Sequence, residues 1–278
     1  MKYAVCMLAH TKPELVERIV NKIAQPNVEV FIHLDAKCRI DEYSHISNAL
    51  FIPNRVKVYW GGRSMIVAMH RLMQYVVNST TCNYLLFISG EDYPLVRPDH
   101  YDLYIDPSRN YVEYAMLPRM DWHMGGMKRL RYYYWLNSPS SFLSRASVKL
   151  QKMIGLSRNL HQSFAPYGGS QWMNMNREAA QYCLNNWDTY YRYFQYSSIP
   201  DELIFQTILM NSPLRESVSN HNLRYIYFEN NNRNPSYLNE SNYSAIAQSN
   251  ALFCRKIKDV GTFERMDIAF AAFENIKA

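Results

Sequence analysis

No stretch of this chain is long and apolar enough to cross a bilayer, no C-x-x-C pair occurs among its cysteines, and no glycine-rich phosphate fingerprint follows its first strand. Each absence disfavours a class of protein. The strand-like run Tyr3 to Ala9 falls far short of the roughly 20 apolar residues that a spanning helix needs and carries no signal-cleavage pattern. A soluble protein, at most peripheral to a membrane, is expected. Cys6, Cys38, Cys82, Cys183 and Cys254 are odd in number and scattered, which argues for reduced thiols in a cytoplasmic setting rather than a disulfide framework or a zinc site. With neither G-x-G-x-x-G nor G-x-x-x-x-G-K-[ST], dinucleotide dehydrogenases and P-loop enzymes are disfavoured. The net charge of +6 favours an anionic partner, yet no block of Lys and Arg is dense enough to single out nucleic acid.

What is present is 278 residues, 48% hydrophobic and 19% charged, enough for one large α/β domain or two small ones. The 23 tyrosines pair an apolar face with a polar tip, which suits a sugar-like ligand as well as an ordinary core. The first half alternates strand and helix signals. Strands are expected at Tyr3 to Ala9, Val28 to Asp35, Val56 to Trp60 and Tyr84 to Ser89, with helices at Pro13 to Ala24 and Ser64 to Val77. Continuous apolar strands in this alternation imply a mostly parallel central sheet flanked by helices. Ligands bind such sheets outside the carboxyl ends of their strands, where His10, His33, Asp35 and the Glu91-Asp92 pair fall. Two adjacent acids could hold a divalent metal, but they lack the D-x-D spacing, so metal binding is the minority reading.

The second half changes character. A strand is expected at Tyr111 to Ala115, then a basic aromatic helix from Met127 to Trp135 in which Lys128 and Arg131 share a face. Residues 138–165 read as a mobile or membrane-facing loop with one short amphipathic patch. A glycine turn at 168–169 enters a strand, and a helix follows Asn176. The stretch Ser198-Ile199-Pro200-Asp201-Glu202 reads as an acidic capping box at a helix buried on most sides. Asp201 is then engaged by the cap, and Glu202 is free either for chemistry or as an ordinary helix-start residue. The strand Leu223 to Phe228 is expected to put Tyr225 and Tyr227 on one face, able to stack on a sugar ring. An amphipathic helix from Phe263 to Asn275 closes the chain.

Several short motifs fall in a recognisable order: His10-Thr11-Lys12, Phe31-Ile32-His33-Leu34-Asp35, Trp60-Gly61-Gly62, Leu85 to Leu95, Gly169-Ser170-Gln171-Trp172, Pro200-Asp201-Glu202, Tyr227-Phe228-Glu229 and Arg255-Lys256. This order resembles glycosyltransferase family 14, the core-2/I-branching β-1,6-N-acetylglucosaminyltransferases and their xylosyltransferase relatives, in a bacterial-type version without their membrane anchor and many cysteines. The resemblance implies a single GT-A domain, with residues 1–106 as the nucleotide-binding half and 107–278 as the acceptor-binding and catalytic half. It implies an inverting transfer of N-acetylglucosamine from a UDP-sugar donor to a glycan or lipid-linked glycan, without a metal or other cofactor. Glu202 matches the catalytic base. Arg233 and Lys256 match the cations that hold the diphosphate, and His10, Asp35 and Asp92 match donor-side positions. Glu113, Lys128, Arg131, Trp172, Tyr225 and Tyr227 match acceptor-side or aromatic positions. A UDP-xylose transferase and a catalytically silent carbohydrate-binding protein are the alternatives. Peripheral contact with the inner face of a membrane is expected through the basic segment near Lys128 to Leu150, and the oligomeric state is left open.

Overall fold

The chain meets its first obligation, pairing the backbone of its apolar runs, in a seven-stranded sheet. The computed structural model describes residues 1–10, 12–158, 164–229 and 234–274. In chain order its elements are β1 (Tyr3–Ala9), α1 (Pro13–Ile23), β2 (Val28–Leu34), β3 (Leu50–Phe51), α2 (Arg63–Ser79), β4 (Tyr84–Ser89), β5 (Asp92–Pro94), β6 (Asn110–Val112) and β7 (Ala115–Met116). There follow α3 (Lys128–Arg131), α4 (Phe142–Met153), β8 (Tyr167–Gly168), β9 (Met173–Asn176), α5 (Arg177–Asn185), α6 (Trp187–Phe194), α7 (Ile204–Met210), β10 (Val218–Ser219), β11 (Arg224–Ile226), α8 (Tyr243–Gln248), β12 (Phe253–Arg255) and α9 (Val260–Glu274).

The main sheet runs β10-β6-β9-β4-β1-β2-β3. The neighbours β4, β1, β2 and β3 are parallel, and β9 enters antiparallel between β4 and β6. The mostly parallel sheet flanked by helices is therefore present, and it draws strands from both halves of the chain. β1 and β4 are buried along their whole length, which is why they read as continuous apolar runs. One core lies between the sheet and α2, α5, α6 and α7; a second packs α1 and α9 against the other face. A small sheet, β11-β12-β5, joins the C-terminal part of the chain to the loop after β4.

Several expectations are corrected. The third strand is Leu50–Phe51, paired with Phe31 and Ile32, not Val56 to Trp60. Val56 and Val58 pack on the core from an irregular segment in which side chains take N–H groups that a ladder would use: the Val56 N–H donates to His33 Nε2 and the Tyr59 N–H to Ser64 Oγ, while the Val56 carbonyl accepts from the Ala36 N–H. Local alternation could not distinguish this from a ladder. The basic aromatic segment is helical for a single turn, Lys128–Arg131, before Tyr132 adopts an extended conformation. Residues 138–165 are not simply a loop, because they contain the three-turn helix α4, capped by Ser141 Oγ accepting from the Ser144 N–H. Tyr111 to Ala115 is split between β6 and β7, which belong to different sheets. Among the described residues, no helix is long and apolar enough to cross a membrane.

Candidate functional site

A cleft of about 1830 Å³ opens over the carboxyl ends of β1 and β4 and is lined by residues from both halves of the chain. It exceeds the roughly 300–1,000 Å³ usual for one small ligand. Two substrates can share it. A second, apolar hollow near Leu95 and His100 measures about 40 Å³, too small for a sugar nucleotide.

The carboxylates on one side of the cleft are set by backbone geometry. Gly61, at φ +65°, turns the chain so that its carbonyl accepts from the Ile199 N–H, which anchors the start of Pro200–Glu202. Gly169 donates its N–H to the Glu202 carbonyl, and a Cβ there would overlap the Glu113 carbonyl oxygen. Only glycine lets these two backbones meet, so it brings Glu113 and Glu202 to one wall. The Glu202 carboxylate pairs with Arg129 at 2.5 Å, and the Arg129 guanidinium lies 3.7 Å from the centre of the Trp122 ring. Burial pushes the Glu113 carboxyl up; Arg119 opposes that shift and Glu202 adds to it.

Asp201 does not cap a helix. Pro200–Glu202 forms a 3-10 turn preceded by Ile199 in the left-handed region, with no side-chain cap, and α7 begins separately at Ile204. Asp201 is instead 95% buried at the cleft wall, its Oδ1 without a hydrogen-bond partner. Burial, reinforced by the neighbouring Glu202 charge, pushes its carboxyl up to about 7. Because the native group holds its proton more tightly than the unfolded one, stability falls as pH rises from about 4 to about 7. Asp201→Asn is therefore expected to gain stability on the order of 4 kcal/mol at and above pH 7, a gain that vanishes near pH 4. Thermal melts across that pH range read it, and an unchanged pH slope would refute the neutral carboxyl.

The opposite chemistry collects around the loop after β4. Glu91 accepts from Lys12 Nζ at 2.7 Å and pairs with Lys256 Nζ at 3.0 Å. Burial pushes the Glu91 carboxyl up, but these two lysines outweigh it and hold the group below its usual range. Beneath them, Asp92 is fully buried between Arg255, with Nε at 3.1 Å, and Arg224, with Nη2 at 3.6 Å, and accepts from the Ser89 N–H at 2.8 Å. Both guanidiniums line the cleft and lie near the Trp172 ring, at 4.4 Å for Arg255 and 5.3 Å for Arg224. Arg224 Nη2 also donates to the Phe87 carbonyl at 2.8 Å, while Arg224 Nε and Nη1 are buried without a hydrogen-bond acceptor. Lys256, Arg224 and Arg255 thus converge on one wall of the cleft, with Lys12 joined to them through Glu91. Among the described residues, no group of three His, Cys, Asp or Glu side chains is arranged to hold a metal ion.

The model of the family described as "Branch: Core-2/I-Branching enzyme" matches residues 4–248. The chain belongs to the Core-2/I-Branching enzyme family. Beta-glucuronosyltransferase GlcAT14A of Arabidopsis thaliana is 23% identical over 265 residues, which cover 87% of this chain and 57% of that protein. Xylosyltransferase 1 of Homo sapiens is 24% identical over 225 residues, covering 75% of this chain and 22% of the human protein. The chain thus spans about half the length of the first relative and less of the second. The apo crystal structure of mouse xyloside xylosyltransferase 1 superimposes with a TM-score of 0.30, at 10% identity over 79% of this chain and 84% of that one.

Of the residues that the family resemblance singled out, His10, Glu113, Lys128, Trp172, Glu202 and Lys256 line the cleft of this Core-2/I-Branching family member. Others do not. Asp35 is buried at the end of β2, where it accepts from the Lys37 N–H, and Asp92 reaches the cleft only through its arginines. Arg131 is exposed outside the cleft, because the single turn of α3 aims Arg129 and Lys128 inward instead. The β11 alternation is offset by one residue from the expected sugar-stacking face: Arg224, Ile226 and Phe228 line the cleft, while Tyr225 and Tyr227 pack on the second core. Arg233 lies outside the described residues. Sequence reading did not assign roles to Lys12, Arg129, Arg224 or Arg255. Arg129, Arg224 and Arg255 adjoin residues it did assign and Lys12 lies two residues from His10, but nothing local marks which basic neighbour turns inward.

Proposed function

We propose that the cleft is the active site of an inverting glycosyltransferase that moves N-acetylglucosamine from UDP-N-acetylglucosamine to a hydroxyl of a glycan acceptor. The observation that carries this reading is the presence, on the lining of one cleft, of the Glu202 carboxylate and of three cations, Lys256, Arg224 and Arg255, with Lys12 joined to them through Glu91. Glu202 takes the proton as the acceptor O–H bond breaks and the oxygen bonds to the anomeric carbon. On the other face of the sugar the bond to the diphosphate breaks, and its electron pair leaves with UDP. Lys256, Arg255 and Arg224 stabilise the charge that grows there, the role a divalent metal fills elsewhere, and Lys12 holds Glu91 beside them. Glu91 and Asp92, both engaged by those cations, act as counter-charges that hold them in place.

UDP release with acceptor present is expected to persist in excess EDTA. Lys256→Ala is expected to lower turnover by roughly 10- to 100-fold by removing one stabilising charge. Activity abolished by EDTA and restored by Mn²⁺ would reject the cation-only reading. Thermal shifts with UDP-N-acetylglucosamine, UDP-xylose and UDP-glucuronic acid identify the donor, and no shift with any of them at millimolar concentration would favour a silent carbohydrate-binding protein.

A further inference from the structure

Helix α4 is built inside out. At 100° per residue its inward stripe is Ser144, Val148 and Gln151, all buried, and two of these three are polar. Ser144 Oγ donates to the Ser138 carbonyl at 2.8 Å. Gln151 closes a two-way bridge with the Tyr133 backbone, accepting from its N–H and donating to its carbonyl, each at 2.9 Å. Hydrogen bonds therefore fix the orientation of the helix, and its large apolar residues are left for another purpose. Phe142, Leu143, Leu150 and Met153, with Ile154 directly after them, are each between 56% and 75% exposed. They form one outward stripe on the side of the helix opposite Val148. Folding alone would have turned Leu143 and Leu150 inward. A contiguous apolar face of this kind on a protein surface marks an interaction site.

The third side of the same helix says what covers that face. Arg145, Lys149 and Lys152 form a basic stripe between the apolar face and the buried one, the helix contains no acidic residue, and all three cations line the cleft mouth. None of them is in an ion pair among the described residues. A partner protein could match the apolar stripe alone. A surface that is apolar beneath and negatively charged at its edge matches both stripes together, and an anionic lipid bilayer is such a surface.

We propose that α4 is an interfacial helix that seats the protein on an anionic membrane, with its apolar stripe among the acyl chains and Arg145, Lys149 and Lys152 at the headgroups. Because those cations also border the cleft, the cleft mouth then faces the headgroup layer. If the cleft transfers sugars, its acceptor is carried by a lipid and presented from that layer; this last step rests on the transferase reading, whereas the docking does not.

The test is flotation of the full chain with vesicles of neutral phosphatidylcholine and with vesicles containing a quarter phosphatidylglycerol. Binding is expected to be on the order of a hundredfold stronger to the anionic vesicles at low salt, from three cations near the surface, and to weaken as salt screens them. Leu143→Ser/Leu150→Ser, at two exposed positions, is expected to lower binding about tenfold by reducing the inserted apolar area, with an unchanged thermal melt. The thermal shift with UDP-sugars is followed in the same variant: a retained shift with lost flotation locates the defect in docking, and a missing shift in the parent chain with intact flotation rejects the transferase reading alone. The docking proposal is overturned if the parent chain binds neither vesicle, if the double variant floats as well as the parent, or if gel filtration shows a dimer that the double variant abolishes, which would make a second copy of the chain the occupant.

Discussion

Replacing Glu202 with glutamine is expected to lower turnover by roughly 10²- to 10⁴-fold, the range that a positioned general base contributes. Affinity for UDP is expected to stay within about twofold, since the amide alters an interaction made with the acceptor proton in the transition state rather than with the nucleotide. The side chain keeps its shape, and the cations that would hold the diphosphate are Arg224, Arg255 and Lys256, none of which pairs with Glu202. Initial rates of UDP release and calorimetric UDP titration measure the two quantities. Glu113 and Asp201 are the comparators, because both are carboxyls of the same wall. Near-normal turnover in Glu202→Gln together with a collapse in Glu113→Gln or Asp201→Asn would transfer the base role to one of them.

The second large effect is on stability. Asp92→Ala leaves Arg224, whose side chain is fully buried, and Arg255, nearly so, without their shared carboxylate. Burial already pushes the Arg224 guanidinium down to about 10, and Asp92 is the main influence opposing it. Removing one partner of a buried ionic cluster costs about 3–5 kcal/mol, which corresponds to a fall in Tm of roughly 10 °C for a chain of this size. The change also frees Arg255, which faces Asp92 across the β5–β12 pairing, so the residue that follows it, Lys256, loses its fixed position. Donor KM is expected to rise along with the loss of stability. A denaturant titration showing less than about 1 kcal/mol of change would mean that solvent, not Asp92, satisfies the two arginines.

Much of the architecture was legible for a simple reason. β1, β2 and β4 are buried on both faces, so their apolar runs are continuous, and the helices between them carry an unbroken 3.6-residue stripe. The C-terminal helix was also legible at nearly its observed start, though Asn275 lies outside the described residues. The errors are of three physical kinds. Val56 and Val58 alternate as strand residues do, but the hydrogen bonds that would make a ladder go to His33 and Ser64, which are distant in sequence or follow a turn. Asp201 matches a capping pattern that depends on the backbone of Ile199, and that residue adopts a left-handed conformation instead. Tyr225 and Tyr227 share a strand face, as their spacing requires, but spacing cannot say which face meets the cleft.

The sequence by itself determined the alternation of strands and helices, the order of short motifs that marks the family, and the placement of Glu202 beside a buried helix. These are properties of near neighbours along the chain, set by periodicity, turn chemistry and side-chain type. Only the tertiary structure decided which charges meet: Glu202 with Arg129 across 73 residues, Lys256 and Lys12 on Glu91, and two arginines on Asp92. It also decided that α4 turns its polar residues inward and its apolar ones out. Such partnerships depend on distances between segments far apart in sequence and on desolvation, which strengthens a charge interaction only after the chain has closed around it.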